Sequence, residues 1–459
     1  MRSKHFFSDK KKIKRLAGIA GAILLCYMIS EALNYMYVEE ADWGRILWHH
    51  FYEDSGRIEN LYLGSSHVYC DIDPQLLDGM NGKYNFNLAS GNQTLNGSYY
   101  LLKEADRKND LSHVYLELSY MCSTKNNFDS DIDPADIGYY ENWRNFDYME
   151  NSLNKAAYFF SFTGTEKYID TLLPFSRYRS NLDNWDYIKQ TMEKKKGSDY
   201  LNYVFRFDYD DGNGYNEYQR QGYWYTTRAF AREKRVYGQM RILGEDPLGE
   251  SSEKYLRKII SYCQKQNIPI TLFCSPVDEL MLVSTGNYDN YVTQIRGIAE
   301  EYGVPFYDFN LARQQYLPIR EESCFFDIDH LNHTGAEIFT AFFSDVVSGD
   351  AAGNEKYFYK SYAEKLQAEE PSLYGLYYRN AEGSEEYPEQ NLLFSIASNR
   401  EEGMEYKVLL TPEAGEERLV QDFSENKEFR LSALEHGICT VIARMADDPE
   451  NVQTLEVSY

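Results

Sequence analysis

The chain has 459 residues, of which 72 are acidic and 47 are basic, so its formal net charge is −25 at neutral pH. Such a surface repels polyanions, because a nucleic-acid-binding protein needs clustered lysine and arginine to neutralise phosphates. The seven cysteines stand far apart, without a Cys-x-x-Cys pair or a group of cysteine and histidine at zinc-ligand spacing. The composition therefore argues against nucleic acid as a partner and against a metal site, and we expect no cofactor.

The first 15 residues carry seven basic side chains and one acidic side chain, and an apolar stretch follows from Leu16 to about Val38. Basic residues before an apolar span keep the N-terminus cytoplasmic. The uncharged residues 16–30 are fewer than the roughly 20 that a bilayer needs, so a signal peptide cleaved near Ala32 is the alternative. Because apolar residues continue past that site, we expect residues 1–38 to be a single-pass anchor in the cell membrane, with the bulk of the chain extracytoplasmic.

Short apolar runs alternate with helical patterns through residues 39–349. Strands are predicted at residues 60–63, 84–88, 113–118, 269–274 and 305–309, and helices at 94–106, 252–266, 288–302 and 335–347. Strands that alternate with helices predict a parallel sheet with helices on both faces. Ligands of such sheets bind at the carboxyl ends of the strands.

Residues 121–245, between the third and fourth predicted strands, are too many for one crossover connection and are rich in aromatic residues. We predict a mainly helical insertion in which most of the rings form its own core. Flat rings also stack on sugars, and the candidates for this role are Trp143, Trp185, Tyr223 and Trp224. Arg179 is a candidate for binding an anionic group of a glycan.

After residue 353 the hydrophobic pattern changes to a period near two. Strands are predicted at residues 373–378, 392–397, 406–410, 418–423, 429–431 and 439–444. Several short strands at this spacing predict an antiparallel β-sandwich over residues 354–459. Because no residue there marks a sugar site, we interpret this domain as an accessory or partner-docking module.

Two polar segments, about 260 residues apart, supply the parts of a serine nucleophile. Gly64-Ser65-Ser66 follows the first predicted strand and places a serine on a tight turn, where backbone N–H groups can face an oxyanion. Asp327 and His330 lie three residues apart on one predicted loop and can supply a general base with its orienting carboxylate. Either segment alone is usually an ordinary turn or a solvated pair, so the prediction depends on their order along the fold.

A further turn at Gly91-Asn92, after the second predicted strand, completes an arrangement that resembles the SGNH (GDSL-type) hydrolase superfamily. Within it, the chain resembles the DltD-like branch of membrane-anchored polysaccharide O-acyltransferases, over roughly residues 55–348. The resemblance implies a flavodoxin-like α/β fold and a triad of Ser66, Asp327 and His330. It also implies an oxyanion hole formed by the backbone N–H groups of Ser66 and Gly91, with Asn92 as a further candidate.

One segment departs from the superfamily pattern. Residues 116–121, after the third predicted strand, contain no Asn where a Gly-x-Asn-Asp block would place an oxyanion donor. Losing one such donor costs about 3 kcal/mol of transition-state stabilisation. Ser119, Asn92 or a group from the insertion are candidate replacements. The DltD-like branch also diverges here, so the departure favours that branch.

Two neighbours of the predicted triad have other interpretations. His67 is adjacent to Ser66, and adjacent side chains usually point apart, so we expect His67 to pack at the rim of the pocket. Asp329 competes with Asp327 for the orienting role. The Asp-x-x-His spacing of the resemblance favours Asp327 and leaves Asp329 as a nearby or solvated acid.

Three functions follow from these predictions. In the first, implied by the resemblance, Ser66 carries an acyl group, expected to be acetyl, to a hydroxyl of a cell-wall or exopolysaccharide glycan. A membrane-bound O-acyltransferase is then the partner that delivers the acyl group. In the second, the same triad hydrolyses an ester, as a glycan deacetylase or esterase. In the third, the site is inert and the chain binds other components during envelope assembly. The anchor and the departure after the third strand favour the first.

Overall fold

The computed structural model describes residues 3–38, 42–124, 134–210, 212–239, 242–319, 322–349, 351–380, 391–432 and 436–459. Contacts divide the chain into two compact units. The first comprises Met1–His49 and Asn142–Phe205, and the second comprises His50–Glu141 and Arg206–Tyr459.

The described residues form sixteen strands in four sheets. The strands are β1 Asn60–Leu63, β2 Asn85–Asn87, β3 His113–Glu117, β4 Arg206–Asp208, β5 Tyr215–Gln219, β6 Tyr223–Thr226, β7 Val236–Gly238, β8 Ile270–Cys274, β9 Phe306–Asp308, β10 Leu373–Asn380, β11 Asn391–Ser398, β12 Met404–Pro412, β13 Arg418–Ser424, β14 Glu428–Ser432, β15 Gly437–Met445 and β16 Asp448–Ser458.

The same residues form seventeen α-helices, besides short 3₁₀ segments. They are α1 Ser3–Tyr37, α2 Asp42–Glu53, α3 Ser66–Asp71, α4 Pro74–Asn81, α5 Leu95–Lys108, α6 Tyr120–Ser123, α7 Pro134–Tyr148, α8 Leu153–Phe162, α9 Tyr168–Leu172, α10 Trp185–Lys194, α11 Ser198–Leu201, α12 Glu250–Gln266, α13 Glu279–Ser284, α14 Tyr288–Tyr302, α15 His333–Ser348, α16 Ala351–Asn354 and α17 Tyr362–Ala368.

The first unit contains α1, α2 as far as His49, the C-terminal half of α7, and α8 to α11. Within α1, the stretch Lys12–Tyr37 is long and apolar enough to cross a membrane, with a mean hydropathy of 1.9. The most apolar part of this stretch is not buried in the protein. An uncovered apolar helix of this length fits the predicted anchor, by length and composition.

The second unit is built on the predicted parallel sheet, which is confirmed. Its strand order is β2-β1-β3-β8-β9, and every pairing is parallel. On one face the rings of Tyr62, Tyr115 and Phe273 pack against Phe343 of α15. On the other face α5 packs beside α12 and against β1. Helices therefore cover both faces, and the central residues of the strands, such as Leu61, Phe86 and Leu116, are fully buried. The order corresponds to the doubly wound 2-1-3-4-5 arrangement.

The predicted insertion is helical only as far as Leu201. Beyond it, β4, β5 and β6 form an antiparallel sheet, and β7 pairs in parallel with β10 at the edge of a C-terminal sheet. Residues 215–226 include several tyrosines, a tryptophan and a threonine, which all have strong β-propensity. This propensity explains why the segment forms strands instead of the predicted helices.

The predicted C-terminal antiparallel region is confirmed: its seven strands lie in two sheets, β14-β11-β10, which β7 extends at one edge in parallel, and β13-β12-β15-β16. Their inner faces share one core, in which Leu376 and Phe394 of the first sheet meet Tyr406 and Val441 of the second. The sequence analysis missed β16. The first half of β16 is polar and exposed, and only Leu455 and Val457 are buried, as is usual for an edge strand.

A buried ion pair joins α17 to the start of α13 and provides a test of the fold. Lys365 Nζ lies 2.5 Å from Glu279 Oε1, and both residues are buried. Lys365→Met is expected to lower the free energy of unfolding by about 3 kcal/mol, because the remaining carboxylate is left buried without its counter-charge. Urea unfolding measures this loss. The double variant Lys365→Met/Glu279→Met should recover most of it, and equal losses in the two variants would contradict the ion-pair explanation.

Candidate active site

The turn after β1 presents Ser66 at the carboxyl edge of the parallel sheet. Gly64 has a φ of +156°, and a Cβ at this position would lie 2.6 Å from the Glu117 Cβ and 2.7 Å from the Val68 Cγ2. Only glycine fits such a close approach. Ser65 is the N-cap of α3, and Ser66 is its first helical residue. The tight turn predicted after the first strand is therefore present, and the structure adds a short helix, α3, that begins at Ser66.

The loop between Phe325 and Leu331 holds the two other predicted triad residues. The Asp327 Oδ1 accepts the backbone N–H groups of Asp329 and His330 at 3.0 Å and 2.8 Å. The N–H of Leu331 donates to Asp71 Oδ1 at 3.0 Å, which ties the loop to the last residue of α3. Asn332 then caps α15 by accepting the Gly335 N–H at 3.1 Å. Side-chain hydrogen bonds thus fix the loop at both ends.

The structure brings Ser66, His330 and Asp327 together in the order that a serine nucleophile requires. The His330 Nε2 lies 2.7 Å from Ser66 Oγ. On the other side of the ring, His330 Nδ1 lies 3.0 Å from both carboxylate oxygens of Asp327. An imidazole in this position can accept the serine proton while the carboxylate stabilises its charged form.

Asp329 is a second carboxylate on the same imidazole. Its Oδ1 lies 3.1 Å from His330 Nδ1, close to the distance of Asp327. Burial lowers the pKa of His330, but Asp329 and Asp327 outweigh burial and the net pKa lies well above the ordinary value. Burial likewise raises the pKa of Asp329, yet the two histidines beside it, His330 and His67, hold it well below the ordinary value. Asp329 is therefore an ionised partner of His330 and not a solvated acid.

His67 is buried, so the expectation of a place at the pocket rim is wrong. Its Nδ1 lies 3.3 Å from Glu117 Oε1, and its Nε2 lies 3.7 Å from Asp329 Oδ2. The other oxygen of Glu117 accepts both the backbone N–H and the hydroxyl of Ser65, each at 3.0 Å. A continuous row of charged groups thus runs from Glu117 through His67 and Asp329 to His330. We refer to the buried Glu117 and His67, together with the half-buried Asp329, as the buried charge row.

The sequence analysis missed the roles of Glu117 and His67. Glu117 ends β3, whose other residues are His113-Val114-Tyr115-Leu116. An acidic residue at the end of an apolar strand, at the carboxyl edge where the nucleophile turn lies, was the available signal. His67, Asp329 and His330 also have ligand atoms within 4.8 Å of one another, so they could hold a metal ion. The same atoms already make the histidine–carboxylate contacts, which account for their proximity.

The buried charge row predicts a pH-dependent contribution to stability. Burial lowers the pKa of His67, but the nearby carboxylates of Asp329 and Glu117 outweigh it and raise the pKa from 6.5 to about 10. A raised histidine pKa contributes stability that is complete below about pH 6.5 and is lost as the pH rises towards about 10. His67→Gln should therefore destabilise the protein more at pH 6 than at pH 10. Urea unfolding of both proteins at the two pH values measures the difference, and an equal loss at both would contradict it.

The oxyanion candidates lie in the loops after β2 and β3. Asn92 has a φ of +49°, and its Oδ1 lies 3.9 Å from Cys122 Sγ. A Cβ at Gly91 would have only the Tyr69 hydroxyl near it, at 3.8 Å, so this backbone is open to a ligand. Ser119 is buried, and its Oγ has no hydrogen-bond partner among the described residues. Ser119, one of the candidate replacements for the absent oxyanion Asn, thus has a buried hydroxyl that is free to donate.

The predicted substrate-binding residues separate into three groups. Tyr223 is fully buried in the core and its hydroxyl lies 3.3 Å from His333 Nδ1, so its interpretation as a sugar platform is wrong. Trp224 is half-buried, with its ring 6.2 Å from that of Tyr69 in α3, the helix that begins at Ser66. Trp143 and Arg179 belong to the first compact unit, where Arg177 stacks on Trp143 at 3.9 Å and Asp170 pairs with Arg179 at 3.0 Å.

Comparisons with known proteins add little to this description. One protein-family model, whose description assigns no activity, matches residues 239–351. A search among curated proteins gives no match. Among solved structures, a double mutant of the endo-β-1,4-mannanase of Cellulomonas fimi aligns at 9% identity over 93% of this chain and 99% of its own, with a TM-score of 0.16. A TM-score this low carries no argument about fold or function.

Proposed function

We propose that the chain is a membrane-anchored, extracytoplasmic serine O-acyltransferase of the SGNH type. It moves an acyl group, expected to be acetyl, through Ser66 to a hydroxyl of a cell-envelope or exopolysaccharide glycan. The observation that supports this proposal is the position of the His330 ring, 2.7 Å from Ser66 Oγ on one side and 3.0 Å from the Asp327 carboxylate on the other.

The reaction follows from that geometry in two steps. In the first, Ser66 Oγ attacks the carbonyl carbon of the acyl donor while His330 Nε2 accepts the serine proton, and the donor's leaving group departs with that proton. In the second, a glycan hydroxyl attacks the acyl-Ser66 ester while His330 accepts the hydroxyl proton. The new glycan ester then leaves, and the proton returns to Ser66 Oγ. Backbone N–H groups near Ser66 and Gly91 are the candidates to stabilise the oxyanion in both steps.

The membrane anchor supports transfer over free hydrolysis. Basic residues lie before α1 and in its first turns, and the rest of α1 is long and apolar enough to cross a bilayer. An anchored transferase can receive its acyl group from a membrane-bound O-acyltransferase partner, whereas a secreted esterase needs no anchor.

Acyl capture by the full chain tests the proposal. The purified protein is incubated with p-nitrophenyl acetate, and the peptide that contains Ser66 is analysed by mass spectrometry with and without an acetylatable oligosaccharide. Acetyl-Ser66 that persists in water and is discharged by the oligosaccharide supports transfer. Rapid discharge by water alone supports the esterase alternative. If Ser66 remains unmodified while the protein is folded, the site is inert and the proposal fails.

A further inference from the structure

The helices of the first compact unit expose several large apolar side chains. Apart from those of α1, they include Leu153 at 92%, Trp185 at 76%, Phe160 at 70%, Ile169 at 66% and Leu172 at 62%. They lie on α8, α9 and α10, and the first two of these helices contact each other through the rings of Phe160 and Tyr168, 6.3 Å apart. A single exposed apolar residue is ordinary, but a group of this size on one small unit indicates an interaction surface.

Hydrogen bonds tie α10 and the 3₁₀ segment that follows α9 to the C-terminal end of α1. The Phe175 N–H donates to Asn34 Oδ1 at 3.1 Å, and Lys195 Nζ donates to the Asn34 carbonyl at 3.2 Å. The Tyr187 hydroxyl donates to the Tyr37 carbonyl at 2.9 Å. Trp185 is the first residue of α10, two positions before Tyr187, and its indole is exposed to solvent.

The length of α1 places these contacts at one surface of the membrane. The charged head of the helix ends at Arg15. A hydrocarbon layer of about 30 Å takes roughly 20 helical residues at 1.5 Å each, so it extends from Leu16 to about Tyr35. Asn34 and Tyr37 therefore mark the outer boundary of the bilayer. Helices that are bonded to these two residues lie in the interfacial layer, where tryptophan is enriched in membrane proteins.

A cavity of about 750 Å³ extends the contact below that boundary. Its walls include Cys26 and Tyr27 of α1 together with Leu172 and Leu173 at the end of α9. Cys26 is nine residues before Tyr35, a depth of about 13 Å along the helix. The apolar side chains of α9 thus share a space with a part of α1 that lies within the hydrocarbon layer.

The charge of this part of the chain fits a membrane surface. Residues 142–205 hold nine basic and eight acidic side chains, whereas the whole chain has a net charge of −25. The segment is therefore nearly neutral within a strongly acidic protein. It can approach a zwitterionic or anionic lipid surface without the repulsion that the rest of the chain would meet.

We propose that α8, α9 and α10 form a membrane-interface platform, made of Phe160, Ile169, Leu172 and Trp185, that inserts into the outer leaflet around α1. Its occupant is the phospholipid of that leaflet. The proposal rests on the membrane anchoring proposed for α1 and is independent of the chemistry of Ser66. The platform fixes the first compact unit against the bilayer, where a tether of one helix alone would leave it free to rotate.

Lipid-borne quenchers test the platform in the full chain. Wild-type protein and Trp185→Phe are reconstituted in phosphatidylcholine vesicles, and the difference between their tryptophan fluorescence reports Trp185. We expect this difference signal to fall at least twofold when the lipid carries bromine near the headgroup end of its acyl chains. A difference signal that is insensitive to brominated lipid, but that acrylamide in the water quenches as it does free tryptophan, would overturn the platform.

A second variant and a flotation control complete the test. Leu172→Trp, placed in the Trp185→Phe background, should be quenched more strongly by bromine deeper in the chains than Trp185 is. Equal quenching by aqueous acrylamide at both positions would also overturn the platform. Flotation of the vesicles reports the anchor separately, because protein that fails to float with lipid lacks the anchoring on which the platform depends. Acetyl capture by Ser66 should be unchanged in both variants.

Discussion

Ser66→Ala is expected to abolish acetyl capture while leaving the stability of the protein nearly unchanged. The hydroxyl is the atom that would form the covalent ester, so its loss removes the chemistry and not only part of its rate. Among the described residues, the Ser66 hydroxyl forms a hydrogen bond with His330 Nε2, at 2.7 Å. The turn itself is held by Ser65, Gly64 and Glu117. Mass spectrometry after exposure to p-nitrophenyl acetate measures capture, and urea unfolding measures stability.

A matched serine control separates a nucleophile from general surface reactivity. Ser112 is exposed in the loop before β3, so Ser112→Ala should capture acetyl as the wild type does. Full ester turnover by folded Ser66→Ala would exclude Ser66 as the nucleophile. Equal loss in Ser112→Ala would show that the effect is not specific to Ser66.

The parallel sheet was predictable because its strands are short apolar runs separated by helical patterns with capping residues. The predicted β1 and α14 match the structure at both ends. Buried strands must be apolar on both faces, so their sequence signal is strong. The edge strand β16 was not predicted, because only two of its residues are buried and the rest of its sequence is mostly polar.

The triad was predictable from the sequence for a different reason. Ser66 follows a strand directly, and Asp327 and His330 precede α15 directly, so the topology of a parallel sheet brings both segments to one edge. Tyr223 was misassigned because a ring that stacks on sugar and a ring that fills a core have the same sequence signal. The roles of Glu117 and His67 were not predicted, because the two residues are 50 positions apart in the sequence. A hydrophobic periodicity does not indicate a contact between such distant residues.

Two carboxylates contact His330, and their separate replacement distinguishes the orienting residue from its neighbour. Asp327 approaches the ring with both oxygens and also accepts two backbone N–H groups of its own loop. Asp329 approaches with one oxygen and shares its charge with His67. Asp327→Asn should therefore lower the rate of Ser66 acylation roughly 10⁴-fold, the effect of losing the orienting carboxylate in other serine triads.

Asp329→Asn should lower the rate far less and should shift its pH dependence. Asp329 is a main reason that the pKa of His330 lies above its ordinary value, so removing the charge lowers that pKa. His330 acts as a base only when neutral, and the rate should then rise at lower pH in Asp329→Asn than in the wild type. Stopped-flow acylation by p-nitrophenyl acetate across the pH range measures both variants. A large loss in Asp329→Asn with a small one in Asp327→Asn would assign the orienting role to Asp329 instead.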